Sequence, residues 1–163
     1  MLPRVYIETT IPSYLTSRTS RDIITAGHQQ ITHDWWNRDR ANYEMYVSQF
    51  VLDECAGGDP EMARKRSELL GDLTILEIPN GATQLAKRLI QEGPLPVKAE
   101  TDALHISIAA ANAMDYLVTW NMKHIANAVM ERAIYQKCRD AGFDPPVICT
   151  PEELLGENYY VEG

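Results

Sequence analysis

Residues 99–121, AETDALHISIAAANAMDYLVTWN, join a helix pattern to a strand pattern and decide the fold class. In the first part, apolar residues fall on every side of a helix, which is typical of a buried helix. These residues are Ala103, Leu104, Ile106, Ile108, Ala110 and Ala111. The polar start, with Asp102 in the first turn, is expected near a surface or a cleft. The run at residues 116–120, YLVTW, then predicts a buried β-strand.

The same alternation of strand and helix patterns extends along the rest of the chain. Short β-type runs occur at residues 5–7, 45–50, 73–78, 116–120 and 147–149, with longer helical patterns between them. This order predicts an α/β fold with a mainly parallel central sheet of about five strands.

Several helix ends carry recognisable signals. Asp59 before a proline predicts a capped helix that runs to about Leu70 and ends at Gly71. Thr150 and Glu153 have the spacing of a capping box. Residues 20–40 predict one long helix or two short ones, because a glycine interrupts the apolar spacing.

The composition fits a single globular domain over residues 1–163, with 45% hydrophobic and 23% charged residues. The chain has no signal-like start and no apolar run of membrane-spanning length, so we expect a cytoplasmic protein. Cys55, Cys138 and Cys149 are far apart and form no CxxC pair. We expect them to be small buried residues and not disulfides or zinc ligands.

The charge balance limits how the protein can bind nucleic acid. A net charge of −8 and a pI near 4.9 disfavour general electrostatic binding, which depends on lysine and arginine neutralising phosphates. A nucleic-acid role therefore needs local positive charge or metal ions. Basic clusters such as residues 64–66 fit solvated helix faces at least as well.

Four polar residues occupy positions that should meet at one edge of the sheet. Glu8 directly follows the first predicted strand, Glu54 lies in a helical turn after the second, and Asn121 follows the fourth. Asp102 opens a helix whose N-terminus should reach the same edge, because parallel strands are joined by right-handed crossovers. Asp115 precedes the fourth strand and is expected at the opposite edge.

Three carboxylates close together repel one another unless a cation neutralises them. Mg²⁺ takes oxygen ligands of this kind, and the chemistry it supports is phosphodiester hydrolysis, with an activated water and a stabilised leaving oxygen. Each acid also has an ordinary explanation: Glu8 as a solvated strand end, Glu54 as an acid at a helix start, and Asp102 as a partner of the helix dipole. Their order along a βα chain is what favours a joint site.

Other candidate residues have plainer explanations. His105 and His124 could assist proton transfer, but we expect packing or hydrogen-bonding histidines, because water activated by a metal needs no separate base. Trp35 and Trp36 are expected in the core or an interface, in preference to a base-stacking surface.

Four segments together resemble a PIN domain, in particular the VapC group of toxin ribonucleases from type II toxin–antitoxin pairs. They are VYIETTIPS (5–13), FVLDECAGGDP (50–60), residues 99–121 as quoted above, and VICTPEELL (147–155). The resemblance implies a three-layer α/β/α fold and cleavage of RNA with Mg²⁺ or Mn²⁺. It also implies a small antitoxin partner and frequent homodimerisation.

The resemblance also assigns roles to individual residues. The acidic quartet, catalytic and metal-binding, falls on Glu8, Glu54, Asp102 and Asn121. The hydroxyls that hold ligands or a phosphate fall on Thr9 or Thr10 and on Thr119. Glu8 stands where most members have aspartate, and Asn121 stands where many have a fourth aspartate. Because the amide of Asn121 brings no negative charge, the site could hold either one metal ion or two.

The predicted function is therefore a metal-dependent ribonuclease, with a toxin role in a toxin–antitoxin pair. The alternative is a catalytically weak or inactive PIN-like module that binds RNA or a protein partner. A phosphatase or nucleotide-binding enzyme has less support, because the sequence has no glycine-rich phosphate loop.

Overall fold

A computed structural model describes residues 1–156 and 158–161, and residues 157, 162 and 163 lie outside it. Five strands form one sheet in the order β3-β2-β1-β4-β5, and all four neighbouring pairs are parallel. The strands are β1 (Arg4–Ile7), β2 (Glu44–Ser48), β3 (Thr74–Leu76), β4 (Tyr116–Val118) and β5 (Val147–Cys149). The predicted parallel α/β sheet is confirmed.

Helices cover the sheet in two groups. The α-helices are α1 (Thr10–Thr16), α2 (Ile23–Arg38), α3 (Gln49–Cys55), α4 (Pro60–Leu70), α5 (Asn80–Gln91), α6 (Glu100–Ala111), α7 (Ala128–Asp140) and α8 (Asn158–Val161). Short 3₁₀ helices lie at Arg40–Asn42, Val97–Ala99 and Pro151–Leu154. Helix α1 packs against α2 and α4, and α5 packs against α6 and α7. The three-layer α/β/α architecture follows from this arrangement.

The predicted helix signals act as expected. The Asp59 side chain accepts hydrogen bonds from two N–H groups of the first turn of α4, and Gly71 ends that helix. Thr150 and Glu153 form the capping box of the last 3₁₀ helix. Helix α2 is one continuous helix, because Gly27 lies on an exposed side where a glycine does not disturb packing.

Three predicted strands, at residues 45–50, 73–78 and 116–120, extend past the ends of the observed ones. The pattern at residues 45–50 predicts an extended chain, whereas β2 ends at Ser48 and Gln49 begins α3. The reason is local, because the Ser48 side chain accepts a hydrogen bond from the Val51 N–H and caps the helix. This early turn brings Glu54 back toward the end of the sheet.

Helix α6 is the buried helix that the sequence predicts. Ala103, Ile106, Ile108 and Ala109 are fully buried. Its small side chains allow close packing against α5 and against β4. The helix is therefore packed on both sides, and this packing fixes the position of Asp102 in its first turn.

The remaining core residues agree with the sequence expectations. Trp35 and Trp36 are buried and pack edge to face. The three cysteines are free and buried, and burial raises the pKa of Cys55 to about 11. Among the described residues, no helix has the length and hydropathy needed to cross a membrane.

Candidate active site

The strand register brings the predicted site residues to the carboxyl end of the sheet. Ile7 of β1 is paired with Val118 of β4, so the residues that follow them, Glu8 and Thr119, lie side by side. The N–H of Glu8 donates to the carbonyl of Val118 at 3.2 Å and extends this pairing by one step. The first and fourth motifs are therefore neighbours across the sheet.

Glu8 is almost completely buried, with 4% of its surface exposed. Its Oε2 accepts hydrogen bonds from the Thr10 N–H at 2.9 Å, from the Thr10 hydroxyl, and from the Thr119 hydroxyl at 2.8 Å. The other oxygen, Oε1, has no hydrogen-bond partner within the described part of the chain. Three donors on one oxygen fix the carboxylate in a single orientation.

Glu54 lies near the end of α3, and its side chain is 39% exposed. Its Oε1 contacts the Thr9 hydroxyl at 2.8 Å and Nε2 of His105 at 2.7 Å. Burial raises the pKa of Glu54, but the hydrogen bonds from His105 and Thr9 outweigh this effect. The net pKa lies below the ordinary value of a glutamate. Glu54 is thus held as an ionised acceptor.

Asp102 and Asn121 meet directly. The Asn121 amide nitrogen donates to Asp102 Oδ1 at 2.9 Å, and Nδ1 of His124 lies 2.9 Å from Asp102 Oδ2. Asn121 also donates its backbone N–H to the Thr119 hydroxyl and accepts the His124 N–H on its side-chain oxygen. The side chain of Asn121 therefore fastens the loop after β4 to the first turn of α6.

The three threonines predicted to bind substrate are all engaged with the acidic residues. Thr9 donates to Glu54, while Thr10 and Thr119 donate to Glu8. Thr10 and Thr119 each also accept a backbone N–H from the loop after β4. The family resemblance implies that these hydroxyls hold either ligands or a phosphate. In the structure they donate hydrogen bonds to the acidic side chains and so orient them.

Asp115 lies at the opposite edge, as expected. Its Oδ2 accepts the backbone N–H of Arg4, the first residue of β1, at 2.7 Å. The amino ends of the strands are far from the acidic residues, because strands run the same way through the sheet. Asp115 therefore takes no part in the candidate site.

The histidines hold the acids, which agrees with their expected hydrogen-bonding role. His105 and His124 form the contacts between histidines and carboxylates in the described part of the chain, with Glu54 and Asp102 respectively. The described ion pairs include none from lysine or arginine to these acids. In the described part of the chain, these carboxylates are therefore stabilised by hydrogen bonds from histidine, threonine and asparagine side chains.

The residues fit a hydrated hard cation better than an ion held wholly by protein. Within residues 1–156 and 158–161, no group of three or more Asp, Glu, His or Cys side chains is arranged around one metal position. However, Glu8 Oε1 and Glu54 Oε2 have no partner in the described hydrogen-bond network. Mg²⁺ usually takes one or two protein carboxylates and completes its shell with water. The donor set and its negative charge match that pattern.

Sequence reasoning missed two residues behind the acids. Tyr6 and Ser48 are fully buried, and their hydroxyl oxygens lie 2.7 Å apart. The Tyr6 hydroxyl also lies 2.7 Å from Nδ1 of His105. Burial raises the pKa of Tyr6 far above its ordinary value, so the hydroxyl keeps its proton. The available signal was a hydroxyl inside each of two buried strands, since buried polar groups need partners.

A cavity of about 380 Å³ adjoins the loop that carries Asn121. Trp120 and Met122, the neighbours of Asn121, line it together with His28. The His28 and Trp120 rings stack with centroids 4.0 Å apart. Glu131, Glu152 and Glu153 also line the cavity, which makes it acidic.

A five-stranded parallel sheet between two helical layers, with acids at the carboxyl ends of its strands, is a PIN-like α/β/α fold. Among solved structures, the chain is similar to one chain of a crystal structure of VapBC2 from Rickettsia felis bound to a DNA fragment from their promoter. The TM-score is 0.58 at 18% sequence identity, and the match covers 90% of this chain and 98% of that chain. No family model and no curated protein matches the sequence. The resemblance to VapC-type PIN domains is confirmed at the level of the fold.

Proposed function

We propose that the protein is a metal-dependent ribonuclease that hydrolyses phosphodiester bonds in RNA with Mg²⁺ or Mn²⁺. The observation that carries the proposal is the set of hydrogen bonds that holds Glu8, Glu54, Asp102 and Asn121 in place at the carboxyl edge of the sheet. These residues come from four separate elements, and the described structure gives them no lysine or arginine partner. The PIN-like fold supports the same class of activity.

The side chains have distinct roles in this proposal. Glu8 and Glu54 offer the carboxylate oxygens that would hold the ion, and the threonines and His105 keep those carboxylates in place. Asp102, which Asn121 and His124 orient, would be a further carboxylate ligand of the same ion. A bound Mg²⁺ or Mn²⁺ supplies activation of water and stabilisation of the leaving oxygen. The chain itself supplies position and negative charge.

Cleavage of a structured RNA by the purified protein tests this function. We expect cleavage with Mg²⁺ or Mn²⁺, none with a chelator, and a loss of at least about 100-fold in Asp102→Asn, because the carboxylate charge is removed at nearly constant shape. Asp115→Asn is the matched control, since Asp115 lies at the opposite edge, and it should cleave like the unaltered protein. Equal cleavage by Asp102→Asn would reject the proposed site.

A second candidate is a PIN-like module with weak or no catalysis that binds RNA or a protein. Two observations favour it: both Asp102 oxygens have protein partners, and no three-ligand group is present among the described residues. Calorimetric titration with Mn²⁺ separates the candidates. Absence of binding at millimolar Mn²⁺ favours the module, whereas binding that Asp102→Asn weakens favours the nuclease.

We further propose that the protein is the cytoplasmic toxin of a type II toxin–antitoxin pair. In this proposal it forms a homodimer, and a small antitoxin inhibits it. The PIN-like fold supports this assignment. The adjacent reading frame should then encode a small protein with a DNA-binding start and an amphipathic tail, and the two proteins should copurify. Growth arrest that requires Asp102 and is relieved by that neighbour is the expected result. Light scattering measures the oligomeric state.

A further inference from the structure

A row of buried polar groups lies behind Glu54 and crosses three elements. Ser48 Oγ, Tyr6 Oη and His105 form consecutive contacts of 2.7 Å, and Nε2 of His105 lies 2.7 Å from Glu54 Oε1. Ser48 and Tyr6 are fully buried, and His105 is 1% exposed. Water therefore has little access to these groups, and they must satisfy one another.

The hydrogens in this row have one arrangement that satisfies every group. An ionised carboxylate only accepts, so Nε2 of His105 must donate to Glu54. If Tyr6 donates to Nδ1, Ser48 can donate to the Tyr6 oxygen while its own oxygen accepts the Val51 N–H. The reverse direction would leave the buried Ser48 hydroxyl hydrogen with no acceptor in the described structure. Burial makes such a loss costly.

We propose that His105 is a positioning residue for Glu54, held by Tyr6 and Ser48 in the tautomer that carries its hydrogen on Nε2. The proposal rests on the proposed function, because it explains how Glu54 is aimed in that site. Ser48 caps the start of α3 and Glu54 lies near its end, so the row ties both ends of this short helix to β1 and α6. With Oε1 held by His105 and Thr9, the other oxygen of Glu54 is left to face a ligand.

Nitrogen-15 NMR of the histidine rings in the metal-free protein tests the tautomer without any assay of activity. In the unaltered protein we expect a pyrrole-type shift for Nε2 and a pyridine-type shift for Nδ1 of His105 at neutral pH. Tyr6→Phe removes the donor to Nδ1 and should shift the Nδ1 signal, while Nε2 keeps its hydrogen for Glu54. Tyr43→Phe is the matched control, since its hydroxyl makes no hydrogen bond in the described structure, and it should change neither. A hydrogen on Nδ1 in the unaltered protein would overturn the proposal.

Carbon-13 relaxation of the Glu54 side chain tests the positioning itself. We expect a rigid side chain in the unaltered protein, a mobile one in His105→Leu, and recovered rigidity in His105→Gln, whose amide N–H can replace the Nε2–H. A Glu54 side chain equally rigid in His105→Leu would overturn the proposal. Both NMR results stand whether or not the protein cleaves RNA, so they fail separately from the proposed function.

Turnover measurements then report the effect on the site. Loss of a residue that orients a metal ligand typically lowers metal affinity or activity about 10- to 100-fold. We expect a drop of that size in kcat for His105→Leu, little change in KM, and partial rescue by His105→Gln. An unchanged kcat in a cleaving protein would count against the positioning role.

Discussion

Thr119 shows how a single hydroxyl connects two parts of the site. It is fully buried, donates to Glu8 at 2.8 Å and accepts the Asn121 N–H at 2.9 Å. Thr119→Val keeps the shape and removes both bonds, so we expect the free energy of unfolding to fall by about 1–3 kcal/mol. Urea unfolding measures the loss. Thr119→Ser keeps the hydroxyl and should lose much less; an equal loss would assign the effect to packing.

Glu54 predicts a pH dependence of stability. Its pKa in the folded protein lies below the ordinary glutamate value of 4.5, despite the opposing effect of burial, because His105 and Thr9 donate to it. The ionised form therefore stabilises the fold above about pH 4.5, and this contribution disappears as the pH falls through the folded pKa. The stability difference between the unaltered protein and Glu54→Gln should shrink in that range. Urea unfolding at successive pH values measures it, and a constant difference contradicts the prediction.

At the scale of residues, the sequence could predict which acids lie at this edge of the sheet but not which residues hydrogen-bond to them. Glu8 and Asn121 follow strands and Asp102 opens a helix, so a rule about strand ends suffices to group them. The contact between Tyr6 and His105 depends instead on how β1 and α6 pack, across 99 positions of sequence. A local sequence pattern cannot show a contact between residues so far apart in the chain. The residues that hydrogen-bond behind the acids could therefore be found only in the structure.

At the scale of elements, a substitution inside α6 can test how tightly this helix is packed. Ala109 is fully buried in the middle of this helix. Ala109→Leu adds volume to a filled core, and overpacking of this kind costs about 1–3 kcal/mol. Ala133→Leu is the matched control, because Ala133 lies on an exposed side of α7. Thermal unfolding compares them, and equal stability of the two variants would show that α6 has room beside it.

Element boundaries were predictable only where capping residues stood out. Asp59 with its proline and Gly71 marked both ends of α4 correctly. The sequence pattern places Ser48 inside a strand, since β-type residues continue on both sides of it, although its side chain caps the start of α3. A hydroxyl inside an apolar run is ambiguous in the sequence, and the fold resolves it through the turn that returns Glu54 to the sheet edge.

At the scale of the whole molecule, the charge balance bears on the proposed RNA substrate. The net charge is −8. Arg64 pairs with glutamates of its own helix, and Arg66 donates to backbone carbonyls at the end of α3. Arg38 and Arg40 lie over aromatic rings. An acidic protein of this kind needs a cation to bring a phosphate to its carboxylates.

A metal ion that binds the folded protein should therefore raise the free energy of unfolding of the whole fold. An ion that binds only the folded state at one hundred times its Kd adds about 2.7 kcal/mol, which corresponds to a Tm increase of roughly 5–10 °C for a chain of this size. We expect Mn²⁺ to raise the Tm in this way in the unaltered protein and in Asp115→Asn, whose substitution lies at the other edge of the sheet. Asp102→Asn should lose most of the increase, because one carboxylate charge of the site is gone. An equal increase in Asp102→Asn would locate the bound ion elsewhere.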